Sequence, residues 1–350
     1  MPRPVDHHYA DPLDQIWIET ARRIGLRVRR SDDVYASSGP KKTLYVGNAQ
    51  HLDDDDSLAQ MIFHELCHSL VEGHDAFERP DWGLDNASDR DLPREHACLR
   101  VQAVLATSYG LRSFLAPTTD HRAFYDQLGE DPLKPTYADS VLAAVAGVYR
   151  ADRNPWGPHL RAALQATAVI ARQARDFAQG PDHNNESLWS VVADAQPVHQ
   201  VGFHQTMIDS EGRRCSGCAW LYQDASGARC RQADGAPTAP TAVACERWEP
   251  PPDCLDCGAC CRSAYQSVTI LPTEAVVAKH PDMVVERDDY IELLRDGERC
   301  AALRGGGTAD GNLTEQYTCR IYEDRPSSCS DFENSGEHCL VGRRRVGLSR

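Results

Sequence analysis

The sequence lacks a long apolar run and a basic surface. No stretch approaches the roughly 20 apolar residues of a membrane-spanning helix, and the N-terminal sequence MPRPVDHHYADPLDQIWIET contains no apolar core of signal-peptide length. The formal net charge of -15 argues against a general surface for nucleic acid or anionic membranes, because both need basic residues. We therefore expect a cytoplasmic protein with no nucleic-acid or membrane partner.

Cysteine is scarce in the first 200 residues and abundant afterwards. Cys67 and Cys98 precede residue 200, and the other twelve of the fourteen cysteines follow it. A cytoplasmic chain keeps its thiols reduced, so clustered cysteines favour metal ligation over disulfides. We predict an α+β protein with a mostly helical N-terminal domain and a small β element over 1–205, a four-cysteine metal-binding segment over 206–250, and a loop-rich, metal-stabilised domain over 251–350.

Residue periodicity predicts five helices and two short strands in the first half of the chain. One of the helices begins at Ser57, where Ser57 and Gln60 form a capping-box pattern, and it stops before Gly73. Its apolar residues recur every four positions, which gives it one buried face. The predicted helices cover residues 12–24, 57–71, 93–109, 138–149 and 160–178, and the predicted strands cover 34–36 and 43–46.

The helix after Ser57 contains the sequence HELCH, in which His64 and His68 lie four positions apart. That spacing places both imidazoles on one helix face, where they can bind one tetrahedral zinc ion. Glu65 follows the first histidine and can take a proton from a zinc-bound water. The pattern therefore predicts a zinc site with Glu65 as the catalytic base.

Two residues compete for the place of the third zinc ligand. His74 stands where the metzincin pattern HExxHxxGxxH has its third histidine, but Val71 replaces the glycine at which a metzincin chain leaves the helix. Glu95, in PREHACLRVQ, begins the next predicted helix and resembles the third-ligand glutamate of the gluzincins and the small ImmA-like peptidases. We take Glu95 as the third ligand and His74 as the alternative, with Glu72 and Asp75 less favoured.

The strand pair followed by the HExxH helix resembles a minimal zincin metallopeptidase. The resemblance implies that Glu65 deprotonates a zinc-bound water, whose pKa is lowered towards about 7, for attack on an amide or peptide carbonyl. His121 or Tyr125 could stabilise the oxyanion, whereas Cys67 should point away from the metal into the core. The sequence does not place the specificity pocket, so a peptide or protein substrate is expected but not identified.

Four cysteines with the spacing Cys215-x2-Cys218-x11-Cys230-x14-Cys245 form a first group. Four thiolates, of which two are close and two distant in sequence, can hold a tetrahedral zinc ion or an iron–sulfur cluster. The spacing and the position of Trp248 resemble the high-potential iron–sulfur proteins over residues 215–248. This segment is therefore expected to bind zinc or iron.

Eight further cysteines form a second group, which opens with CLDCGACC and includes TCRIYEDRPSSCSDFE. The CxxCxxCC opening and the CxIYxxRPxxCxxF segment resemble the YkgJ-type family of zinc- or iron-chelating cysteine-cluster domains over about residues 254–335. Eight thiolates exceed what one mononuclear site needs, so they imply either two metals or one multinuclear centre. The members of the group are Cys254, Cys257, Cys260, Cys261, Cys300, Cys319, Cys329 and Cys339.

These patterns fit two functions. The first is a zinc-dependent metallopeptidase or amide hydrolase joined to a zinc- or iron-binding cysteine module that stabilises or regulates it. The alternative is a non-catalytic metal-chelating, iron–sulfur, or metal- and redox-sensing protein with a degenerate HExxH site. We favour the first, because the residue types and the helix around the HExxH motif agree.

Overall fold

The computed structural model of the chain describes residues 6–85, 88–118, 121–135, 138–178, 187–205, 212–309 and 312–350. The chain divides into two units, Met1–Leu133 with Ala143–Gln196, and Lys134–Leu142 with Pro197–Arg350. Helices and small sheets are both present, which confirms the α+β class. None of the helices in the described ranges combines the length and apolar character that a membrane crossing requires. Residues 206–211, beside the predicted boundary at 205, lie outside the described residues.

Helix α2 is the centre of the first unit and packs against α1, α3 and the sheet. Thirteen of its fifteen residues are buried, so its polar side chains need partners in the interior. The helices of this unit are α1 (Pro12–Ile24), α2 (Leu58–Glu72), α3 (Leu92–Thr107), α4 (Arg122–Gln127), α5 (Val141–Ala151, in this unit from Ala143) and α6 (Gly157–Arg175).

The ends of α2 follow from local sequence. The Ser57 side chain accepts a hydrogen bond from the backbone N–H of Gln60 at 3.1 Å, as the capping-box pattern predicts. The Gln60 side chain donates to the Ala116 carbonyl at 3.4 Å instead of returning to Ser57, so only half of the capping box forms. Gly73 ends the helix with a φ of 85°, which glycine adopts readily because it has no Cβ.

A three-stranded sheet accompanies these helices, with strands β1 (Arg27–Ser31), β2 (Ala36–Gly39) and β3 (Thr43–Gly47). The central strand β3 runs parallel to β1 and antiparallel to β2, and it buries Leu44 and Val46 completely. Strand β1 was not predicted, because the arginine-rich RVRRS has no apolar alternation and lies at an edge of the sheet. The strand predicted over 34–36 was placed too early, because the predicted turn residues Ser37 to Gly39 belong to β2, whereas the strand predicted over 43–46 is confirmed as β3.

The second unit consists of short elements joined by loops. Its strands are β4 (Leu221–Asp224), β5 (Gly227–Cys230), β6 (Ala236–Pro237), β7 (Thr269–Ile270), β8 (Val284–Glu286), β9 (Ile291–Leu293), β10 (Arg295–Asp296), β11 (Arg299–Cys300), β12 (Leu303–Arg304), β13 (Thr308–Ala309), β14 (Asn312–Leu313) and β15 (Thr318–Cys319). Its helices are α7 (Cys254–Cys257), α8 (Ala275–Lys279), α9 (Ser327–Ser330) and α10 (Glu337–Arg345), and Cys260–Ala264 form one π-helical turn. The strands pair in the orders β4-β5-β6, β7-β9-β8, β10-β11, β12-β15 and β13-β14.

Candidate metal centres

Three potential zinc ligands converge where α2 faces α3. The Nε2 atoms of His64 and His68 lie 3.2 Å apart on one face of α2. Glu95, in the first turn of α3, places Oε2 at 3.1 Å from Nε2 of His68 and Oε1 at 3.7 Å from Nε2 of His64. The Glu95 carboxylate thus approaches each histidine through a different oxygen, and the three side chains converge on one point as candidate zinc ligands.

Charge reinforces the pairing of Glu95 with the histidines. Burial disfavours the ionised form of Glu95, but His68 and His64 outweigh it and lower the pKa of Glu95 below its usual value. Burial also disfavours protonated His68, yet the Glu95 carboxylate raises the pKa of His68 to about 9. A zinc ion at this point would replace a proton on His68 and would balance the negative charge of the Glu95 carboxylate.

Gln102 fixes which nitrogen of His64 can bind a metal. Its Nε2 donates to the Leu115 carbonyl at 2.6 Å, so its Oε1 is the atom that lies 2.9 Å from Nδ1 of His64. An amide oxygen only accepts hydrogen bonds, so Nδ1 carries the proton and the lone pair of Nε2 faces Glu95. Orientation of a ligating histidine by a second hydrogen bond is typical of metal sites.

Glu65 is held by Trp82, a residue that sequence reasoning missed. The indole Nε1 of Trp82 donates to Oε2 of the buried Glu65 at 2.8 Å. The backbone N–H of Trp82 donates to the Ser38 hydroxyl at 2.7 Å, and Asp81 accepts a hydrogen bond from Ser37 at 2.7 Å. The turn that carries Trp82 is thereby tied to β2, and the carboxylate of Glu65 has a fixed position beside the histidine pair.

The histidine pair, Glu65 and Glu95 line a cleft of about 440 Å³, which lies within the range of roughly 300–1,000 Å³ typical of small-molecule sites. His121 also lines this cleft. Tyr125 does not, because it is buried and its hydroxyl donates to the Arg112 carbonyl at 2.9 Å. The tyrosine at the cleft is Tyr35, whose hydroxyl donates to Asp56 and whose pKa is raised to about 12 by burial and by that carboxylate.

The other candidate ligands of the first unit lie apart from this point. His74 is exposed beyond the end of α2, and its ring lies 4.7 Å from that of Phe77. Glu72 forms an ion pair with Arg94 at 2.7 Å, and Asp75 is exposed. Cys67 is fully buried, and burial raises the pKa of its thiol well above the usual value. The fold thus brings Glu95 to the histidines and leaves His74 outside the cleft.

Cys98 is a further neighbour of the histidines that the sequence analysis did not select. Single ligand atoms of His64, His68 and Cys98 lie within 4.8 Å of one another. The Cys98 sulfur, however, is 3.8 Å from Nδ1 of His64 and donates to the His64 backbone carbonyl at 3.6 Å. Because Nδ1 faces Gln102, we place Cys98 behind the histidine and not among the ligands at Nε2. The spacing of Glu95, Cys98 and Gln102 on one face of α3 was the available signal.

The first cysteine group surrounds a separate pocket in the second unit. Cys215, Cys218, Cys230 and Cys245 all line this pocket, together with Trp248. Four thiols around one small pocket can hold one zinc ion or an iron–sulfur cluster.

His199 adds a nitrogen to the first cysteine group. It is buried, and its Nε2 lies 3.4 Å from the sulfur of Cys215. Its Nδ1 accepts a hydrogen bond from the backbone N–H of Val201 at 3.2 Å, so the proton of the neutral ring is on Nε2. His199 is thus placed to donate a hydrogen bond to the Cys215 sulfur. No sequence pattern links this histidine, sixteen residues upstream, to the cysteine.

Residues 253–344 match the model of one protein family, CxxCxxCC, described as "Putative zinc- or iron-chelating domain". The match includes all eight cysteines of the second group. This segment is similar to that family, and we refer to residues 253–344 as the CxxCxxCC domain. The finding supports the predicted resemblance to zinc- or iron-chelating cysteine-cluster proteins for this part of the chain. No curated protein and no solved structure matches the chain.

The CxxCxxCC domain positions its cysteines with short local structures. Pro326 precedes α9 and accepts a hydrogen bond from the backbone N–H of Cys329 at 2.8 Å, so the RPSSC turn presents this cysteine as predicted. Arg325 donates to the Tyr322 carbonyl at 2.7 Å, which gives it a structural role within the same turn. Gly258, with a φ of 58°, lies directly against the ring of Tyr317, where a Cβ atom would clash. All eight cysteines are free thiols.

Proposed function

We propose that the first unit is a zinc-dependent hydrolase of amide or peptide bonds. The observation that carries this proposal is the convergence of Nε2 of His64, Nε2 of His68 and the carboxylate of Glu95 beside an open cleft. Resemblance to the zincin peptidases supports the same reading of the HExxH motif. We extend the hydrolase part over residues 1–205, with peptide or protein as its substrate.

Each residue of the site has a defined task under this proposal. His64, His68 and Glu95 would hold the zinc ion, and Gln102 would orient His64 through its Nδ1–H. Bound zinc supplies a water of lowered pKa and polarises a carbonyl oxygen. Glu65, fixed by the Trp82 indole, takes a proton from the attacking water and passes it to the leaving amine.

Zinc content and hydrolysis of fluorescently labelled casein separate the tasks of these residues. We expect Glu65→Gln to retain zinc and lose hydrolysis, because only the base is removed. Glu95→Ala should lose zinc as well, whereas His74→Ala, the matched control outside the cleft, should keep both. Hydrolysis that survives Glu65→Gln would rule out the mechanism, and loss of zinc in His74→Ala with retention in Glu95→Ala would move the third ligand to His74. The zinc readout does not depend on the choice of substrate.

A second function, metal- or redox-linked electron transfer or sensing, is supported by the first cysteine group. Cys215, Cys218, Cys230 and Cys245 line one pocket, where each thiolate would bind a different iron of an iron–sulfur cluster. Protein purified without oxygen should then contain iron and sulfide and absorb broadly at about 400 nm. Zinc in place of iron would instead leave the protein colourless and would argue against this function.

A further inference from the structure

The thiols of the CxxCxxCC domain lie in two different packing environments. Cys300 is buried within the domain's main hydrophobic cluster, and Cys261, Cys319 and Cys329 pack against that cluster. Cys257 belongs to another buried cluster, with Ala259 and Ala264. The boundary between the two environments therefore falls inside the CLDCGACC sequence.

The first set of four thiols is assembled by α7, the π-helical turn and α10. Helix α7 carries Cys254 and Cys257, the turn begins at Cys260, and α10 carries Cys339. Helix α10 packs on the turn: Arg345 donates to the Ala264 carbonyl at 2.9 Å, and the Tyr265 hydroxyl donates to the His338 carbonyl at 2.5 Å. These bonds bring Cys339 to the cysteines of the opening motif across about 80 residues of chain.

Contacts around Cys254 and Cys260 support the same grouping. The Asn334 side-chain amide donates to the Pro252 carbonyl at 3.0 Å and lies 3.9 Å from the Cys254 sulfur. Cys260 opens the π-helical turn on which α10 packs, so it lies on the element that contacts the helix of Cys339.

The second set starts one residue later and uses the strands. Cys300 ends β11, and Cys319 ends β15, where it pairs with Leu303 of β12. Cys329 lies in α9, which is tied to β7 by a hydrogen bond of 2.9 Å from the Ser328 hydroxyl to the Thr269 carbonyl. Strand β11 also contacts the turn that contains Cys261, and Cys261 packs against the same hydrophobic cluster as Cys319 and Cys329.

We propose that the CxxCxxCC domain holds two separate metal centres, one bound by Cys254, Cys257, Cys260 and Cys339 and the other by Cys261, Cys300, Cys319 and Cys329. Adjacent Cys260 and Cys261 then face different centres, because successive residues of a helical turn point in different directions. Each centre holds zinc or iron, the two metals that the family description names.

This inference rests on metal binding by the domain, and not on hydrolysis by the first unit. Iron, sulfide and zinc contents of the full-length chain, purified without oxygen, test it. Cys254→Ser and Cys319→Ser alter one thiol of each set at positions that are not fully buried, so the domain should keep its fold. Each substitution should remove one half of the domain's bound metal, whether zinc or iron. The double variant Cys254→Ser with Cys319→Ser should lose all of it.

Double substitutions within one set provide the matched control. Cys254→Ser combined with Cys339→Ser should lose no more metal than Cys254→Ser alone, because both thiols belong to one centre. A single shared centre would be indicated if Cys254→Ser and Cys319→Ser, alone and together, all removed the same amount of metal. Absence of metal from the domain would refute the inference. If the chain still bound zinc in that case, and lost it in Glu95→Ala, the hydrolase proposal would stand independently.

Discussion

Oε1 of Gln102 lies 2.9 Å from Nδ1 of His64, and the opposite end of the same amide is held by the Leu115 carbonyl. The amide therefore cannot turn its nitrogen towards His64 without losing a bond of 2.6 Å. Because Nδ1 of His64 carries the proton, the lone pair is on Nε2 and points towards His68 and Glu95. A residue of α3, two turns after Glu95, thus decides the tautomer of a candidate ligand on α2.

Gln102→Leu should weaken zinc binding by about 10- to 100-fold, the usual cost of losing a residue that orients a metal-bound histidine. Competition against a chromogenic chelator measures the affinity. Gln102→Glu keeps an acceptor for the Nδ1 proton and should retain most of the affinity, and Gln165→Leu, at an exposed helix position, should have no effect. Equal zinc affinity in Gln102→Leu and the unsubstituted chain would remove Gln102 from the site.

Trp82→Phe should lower hydrolysis by about tenfold or more and leave the zinc content unchanged. The substitution removes the N–H that fixes Glu65, and a hydrogen bond to a charged group contributes about 1.5–3 kcal/mol. Rates on labelled casein and bound zinc are measured on the same samples. Trp189→Phe, in another turn of the first unit, is the control. If Trp82→Phe lost zinc in proportion to activity, its role would be to hold the fold and not to position the base.

The local parts of this site were predictable from the sequence, and the tertiary parts were not. Caps at Ser57 and Gly73 and the spacing of His64 and His68 are properties of one helix, so residue patterns define them. Glu95 was selected through a family resemblance, because nothing local indicates that α3 faces α2. Contacts such as Trp82 with Glu65 join distant segments without a pattern.

The same limit applies to the fold. Helices α1, α2, α5 and α6 carry amphipathic periodicity and α3 was placed by Pro93 and Gly110, and the structure confirms all five with ends shifted by a few residues. Strand β1 has charged residues where an amphipathic strand would alternate, so its pairing with β3 could not be read from the sequence. The short strands of the second unit have two to four residues each, which is too short for periodicity to identify them.

Leu66→Ala should reduce the free energy of unfolding of the first unit by about 2–5 kcal/mol. Leu66 is fully buried in α2 between the two histidines, and its loss leaves a cavity against which the neighbouring helices cannot fully collapse. Urea denaturation followed by tryptophan fluorescence measures the change. Ile18→Ala, at a half-exposed position of α1, should change stability by only about 0.5 kcal/mol. Added zinc should restore part of the stability of Leu66→Ala, because a ligand that binds only the folded state stabilises it.

His199→Phe should lower the reduction potential of an iron–sulfur centre bound by Cys215. The hydrogen bond from Nε2 to the Cys215 sulfur, 3.4 Å away, stabilises the more negative reduced state, and phenylalanine fills the buried space without a donor. His199→Gln retains an N–H donor and should keep the potential closer to that of the unsubstituted chain. A redox titration without oxygen, followed by absorption and electron paramagnetic resonance, compares the three proteins. Equal shifts in His199→Phe and His199→Gln would show that packing, and not the hydrogen bond, sets the effect. No shift in either would separate His199 from the centre.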